Sequence, residues 1–299
     1  MRDSRTRLIT PEEEAAPYPY LRVWRSLMLQ LVLLGVFAGG IYVIFGVVSV
    51  SLPSLVVPVV SLALAFAPLG LWLIFSWWAE RRVAEPRTSL MLVVILAALA
   101  ANGVTIPVIE QLLQPQSWLS QSSAITRIVG YTLSVGIAIE ITKYIVIRYS
   151  VWPSHIRVRI DGIVYAIAAS IGMATVENLH NLAIPGITLP SLAILVLDTT
   201  VTGIAAGLFV GYGLSESALG RPTPFLGPFS VALAALVHGA AIPLRTGLGN
   251  AGFTLSGGSA HPILGIGISV GLVLVVSILV SFLFGASERR EREAAAVET

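Results

Sequence analysis

The sequence predicts an all-α, polytopic membrane bundle of about eight transmembrane helices with both termini in the cytoplasm. Three observations predict it. Of 299 residues, 56% are hydrophobic and only 11% charged, with a mean hydropathy of +0.87, whereas a soluble domain carries roughly 25% charged residues. Apolar runs of about 20 residues recur along the chain, the length at which a helix crosses the hydrocarbon core. The third observation is the placement of arginine. The chain has 17 arginines and one lysine, Lys143; with the N-terminus inside, fifteen arginines fall at inner ends and only Arg127 and Arg245 at outer ends. Such a bias sets orientation in membrane proteins.

The elements follow in order. Residues 1–25 are largely polar, read as a cytoplasmic tail, and show no signal-peptide cleavage region. Candidate spans run approximately 26–49, 54–78, 89–113, 126–149, 162–184, 190–214, 228–248 and 262–285, so one transmembrane domain covers 26–285 and a cytoplasmic tail covers 286–299. The longest connections are rich in Gly, Pro and Ser, as turns should be. Gly203, Gly207 and Gly211 on span six, and Ala166, Ser170 and Ala174 on span five, form small-residue stripes. Such stripes let helices approach closely where no hydrophobic effect draws them together. A net charge of +2 gives no reason to expect nucleic acid as a partner; the partner read from composition is the lipid bilayer. The absence of cysteine excludes disulfides and thiolate zinc sites.

Chemistry is carried by ionisable residues inside the spans, where each charge costs about 2.5–3.5 kcal/mol on insertion scales. Glu110 lies near an outer end and can snorkel to the interface. Asp198, beside Thr199 and Thr200, reads equally as a hydrogen-bonded buried acid or a ligand. Glu140 and Lys143, three apart, share a helix face and predict an intrahelical ion pair or a functional carboxylate. Glu177 and His180 share a face in the same way. A Glu-x-x-His pair can offer metal ligands inside a bundle, or it can form a carboxylate–imidazole bond that fixes packing. A metal needs a further donor, and His238 on span seven is the candidate. His155 and His261 read as interfacial. At 1.5 Å rise per residue, Glu140 lies roughly 12 Å from Arg148 at the inner end, and Glu177 roughly 24 Å from Asp161. Buried Glu, Asp, His and Lys also suit a proton-coupled transporter, although no inverted halves are evident.

The stretch "EITKY", then "DGIVYAIAASIGMATVEN", then "HG" in a later span resembles the PrsW family of membrane-embedded metalloproteases, which is related to the CAAX-type membrane proteases. That family's pattern is a Glu-Glu-x-x-Lys/Arg helix, an Asp-Gly-x-x-Tyr-Gly helix ending in Glu-Asn, and later histidines. Asp161, Gly162, Tyr165, Gly172, Ala174, Glu177 and Asn178 fall at pattern positions, and the resemblance covers roughly residues 130–245. It implies a divalent metal, zinc by this logic, that polarises a carbonyl and activates water. Glu177 and His238 would be metal-site members and Glu140 the second glutamate of the pair, acting as general base. Lys143, Asp161 and Asn178 would support the site; His180 as a further ligand and Asp198 as a supporting acid lie outside the pattern and rest on the residues alone. The implied substrate is a membrane protein such as a single-span regulator. The implied location is the cell membrane, as a multi-pass protein of a bacterial inner membrane. The sequence departs from the pattern in four places. Ile139 replaces the first glutamate, Ala166 follows the tyrosine, no histidine occurs in the sixth helix, and Ile242 stands four residues after His238. His180 and Asp198 are the candidate substitutes. A catalytically inactive relative that binds transmembrane segments or lipids is the alternative.

Overall fold

The computed structural model of the chain describes residues 20–81, 87, 89–219, 224–251 and 262–297, and among them all regular structure is helical. The helices are α1 (Tyr20–Tyr42), α2 (Val57–Glu80), α3 (Leu90–Ala100), α4 (Pro115–Leu119), α5 (Ala124–Tyr131), α6 (Ile137–Ser150), α7 (Arg159–Asn181), α8 (Leu189–Leu219), α9 (Leu226–Ala251) and α10 (Pro262–Val297). Seven helical runs among the described residues are long and apolar enough to cross a membrane, matching the first seven spans expected from sequence. The eighth expected span falls on α10, whose described apolar stretch, Val270–Ala286, is shorter. His261 lies outside the described residues.

Helical structure overruns the apolar runs at both ends. α1 starts at Tyr20 and α10 continues to Val297 through "SERREREAAAV". Ala, Glu and Arg are strong helix formers, so the last turns of α10 need no apolar face to stay helical.

Two helices form the centre. α7 and α8 are buried along most of their length, while only about a fifth of α1 and of α2 is buried. Along the α7–α8 contact this arrangement puts small residues between the helices. The small-residue stripes are the seam. A Cβ added to Gly211 would lie 2.6 Å from the carbonyl oxygen of Gly162, and one added to Gly207 would lie 2.5 Å from Ser170 Oγ. Backbone therefore meets backbone along α7 and α8.

One end of the bundle is tied by charge. Asp161, in the first turn of α7, accepts from the backbone N–H of Arg157 at 2.9 Å and of Val158 at 3.0 Å, which satisfies donors ahead of the helix start. Its other oxygen accepts from Arg87 Nε at 2.7 Å. Arg87 also donates to Glu80, through Nη1 and its backbone N–H, both at 2.7 Å. Burial opposes the Arg87 charge, but Asp161 and Glu80 more than offset it and hold the guanidinium above its ordinary pKa. Arg159 meets Glu216 at 2.7 Å nearby, joining α7 to α8.

The runs containing α3 and α5–α6 are not uniform. π-helical turns occupy Ala101–Thr105 and Val108–Leu113 beyond α3, and Thr132–Gly136 between α5 and α6. π turns are rare and concentrate at functional sites. Thr105 Oγ1 reaches Thr142 Oγ1 at 3.1 Å, linking the first of them to α6.

Candidate functional site

Two adjoining features carry the ionisable residues. The first is a sealed cluster on α6. Glu140 and Lys143 are both fully buried, and their spacing of three puts them on one face, so the ion pair expected from sequence forms. Lys143 Nζ donates to Glu140 Oε1 at 2.8 Å and Oε2 at 2.9 Å. Its third proton goes to the backbone carbonyl of Gly203 at 2.9 Å. A lysine has three donors, and all three are used. Ser170 Oγ donates to the same carbonyl at 2.8 Å. The small residues of the α7–α8 seam thus leave a carbonyl open to the lysine.

His238 reaches this cluster from α9. Its Nδ1 lies 3.0 Å from Glu140 Oε1. An ionised carboxylate only accepts, so Nδ1 carries the proton and a neutral ring keeps Nε2 as its lone pair. Of the three residues expected in one site, Glu140 and His238 meet, although almost a hundred residues apart in sequence; Glu177 does not join them and lines a separate cavity.

The second feature is a cavity of about 540 Å³ toward the other end of the bundle from the Arg87–Asp161 network. Glu177, His180, Glu110 and Thr105 supply polar wall, and Ile139, Val135, Met173 and Ile242 supply apolar wall. All the π turns beyond α3 and before α6 contribute to it. Neither Glu140 nor His238 lines this cavity. His180 does not pair with Glu177; its Nε2 lies 2.7 Å from Glu110 Oε1, with both side chains about half exposed. Asp198 meets Arg245 Nη1 at 3.5 Å and does not line the cavity. Asn178, next to Glu177, is completely buried with neither side-chain polar atom hydrogen-bonded.

The chain matches the description "PrsW family intramembrane metalloprotease" over residues 85–241, just over half of its length. The chain belongs to the PrsW family. The match takes in Glu140, Glu177 and His238, and it starts earlier than the sequence resemblance suggested, so that span three lies inside it. No curated protein and no solved structure matches the chain. The PrsW description implies a divalent metal and an intramembrane protease within a membrane bundle.

Among the described residues the donors do not fit such a metal. A catalytic zinc site takes three protein ligands and one open position. Both oxygens of Glu140 already accept from Lys143, and the cluster keeps only His238 Nε2 free. Among the described residues no group of three or more His, Asp or Glu could hold an ion. Ile139 and Ile242, two of the four departures from the resemblance's pattern, both line the Glu177 cavity. Sequence reasoning noted both departures and missed that they share one wall. It also missed Arg87 and the Gly203 carbonyl. Arg87 had a usable signal, a basic residue just before span three; the carbonyl had none.

Proposed function

We propose that this PrsW-family chain binds a segment of another membrane protein in the Glu177 cavity and does not cut it. The observation that supports this most directly is the pair Ile139 and Ile242 in the cavity wall. An apolar wall at those positions suits a side chain of a transmembrane segment. Glu177 and the Glu110–His180 pair supply polar contacts for the segment's end. A cavity of this size falls in the range of about 300–1,000 Å³ typical of ligand sites. Glu140, Lys143 and His238 then act as an internal brace, with paired charges holding α6, α8 and α9 in register.

One observation favours a second reading, zinc-dependent hydrolysis of a peptide bond in a single-span membrane protein. Glu140 and His238 meet at 3.0 Å inside the PrsW match. This reading requires donors beyond those two.

The test pairs metal content with substrate fate. Purified full-length chain is expected to carry no stoichiometric zinc, and Glu177→Ala and His238→Ala are expected to change nothing in that measurement. A photo-crosslinker at position 242 is expected to capture a co-expressed single-span reporter intact. The same crosslinker at lipid-facing Ile278 is expected to capture lipid alone. Cleavage of the reporter by the unaltered chain, lost in Glu140→Gln, would establish hydrolysis instead.

A further inference from the structure

A second cleft lies at the opposite end of the bundle, between α1, α2 and α7, with a volume of about 390 Å³. Its walls are mostly apolar and aromatic, with Leu27, Trp72, Phe75 and Ile167 among them. Its rim is charged: Arg25 from α1, with Glu80 and Arg87 beside it. The three charges do not stand equally. Glu80 accepts from Arg87 at both oxygens, and Arg87 is shared with Asp161, so these groups neutralise one another. Arg25 is exposed and has no ion-pair partner among the described residues. Trp78, half exposed, lines the same cleft, and tryptophan favours the headgroup level of a bilayer.

We propose that this cleft is a site for an anionic phospholipid, with the acyl chain along the Trp72–Phe75 wall and the phosphate on Arg25. Charge complementarity selects this occupant. Among the described residues the one uncompensated charge at the rim is a cation, and the wall below it is mostly apolar, with Ser26, Gln30 and Ser76 its uncharged polar side chains. The end of the bundle involved is the one rich in arginine, which faces the leaflet where anionic lipids attract basic residues. The site is separate from the Glu177 cavity and stands whether or not that cavity binds a protein segment.

The test uses delipidated full-length chain in detergent, titrated with phosphatidylglycerol or phosphatidylcholine carrying brominated acyl chains. Bromine quenches Trp72 and Trp78. Phosphatidylglycerol is expected to quench at lower concentration than phosphatidylcholine. Arg25→Gln is expected to weaken that response about five-fold, matching roughly 1 kcal/mol per arginine at a membrane surface. Arg81→Gln is the control. Arg81 stacks on Trp77 at 3.6 Å, carries the same charge at the same end, and does not line the cleft. It is expected to leave the preference intact. Equal quenching by the two lipids would overturn the proposal, as would an Arg81→Gln loss as large as that of Arg25→Gln.

Discussion

Lys143 has three protons to give and finds three acceptors, two on Glu140 and one on Gly203. Removing the ammonium strands a buried carboxylate with only His238 for company. Lys143→Met is therefore expected to destabilise the bundle by about 3–5 kcal/mol, the usual loss when one member of a buried pair is deleted. The double variant Glu140→Gln, Lys143→Met is expected to recover most of that loss, since it removes both charges together. Reversible unfolding in mixed micelles measures both; a single variant as stable as the unaltered chain would refute the brace. The ion pair was legible in sequence because a spacing of three is a local property of a helix. The Glu140–His238 contact was legible from the two being intramembrane ionisable groups and from the family resemblance, since no local rule joins α6 to α9. The carbonyl of Gly203 was not legible at all, because a backbone acceptor leaves no trace in residue identity. The rise per residue put Glu140 and Glu177 at different depths, yet the expectation joined both with His238 in one site; in the structure Glu140 meets His238, and Glu177 lines a cavity that neither of them lines.

At the scale of the element, the α7–α8 seam couples packing to charge. Gly211 leaves no room for a methyl group against Gly162, so Gly211→Ala forces two backbones apart. Overpacking of this kind costs about 1–3 kcal/mol. Gly40 on α1 gives the contrast, because nothing lies within 4 Å of the position a Cβ would take. Gly40→Ala is expected to be neutral or stabilising by up to about 1 kcal/mol, the helix-propensity difference. The same unfolding assay ranks the two, and equal effects would mean that the seam is looser than its geometry. The stripes themselves were visible in the sequence as spacings of four. Their pairing across helices was not, because many stripes of small residues fit any neighbour.

For the whole molecule, the class was legible because lipid permits few solutions. A spanning segment must satisfy its own backbone, so apolar runs of this length become helices. The number of crossings was less legible, because α10 carries its apolar stretch inside a much longer helix. Arginine placement still predicts a topology. Reporters fused before Met1 and after Thr299 are expected to read as cytoplasmic, and one inserted between α7 and α8 as extracytoplasmic. A C-terminal reporter on the opposite side from the N-terminal one would show that α10 does not cross.

Each π turn around the Glu177 cavity holds one residue more than the α ladder needs. A deletion of one residue inside Thr132–Gly136 can therefore be absorbed by returning the turn to α geometry, leaving α6 facing as it did. A deletion within α6 itself rotates everything beyond it by about 100°, the angle one residue subtends in an α-helix, and would swing Lys143 away from Gly203. Chain length is thus negotiable at the cavity wall and fixed at the brace. Gaps in this part of the chain should be tolerated in the turn and should break the Lys143–Gly203 contact four residues later.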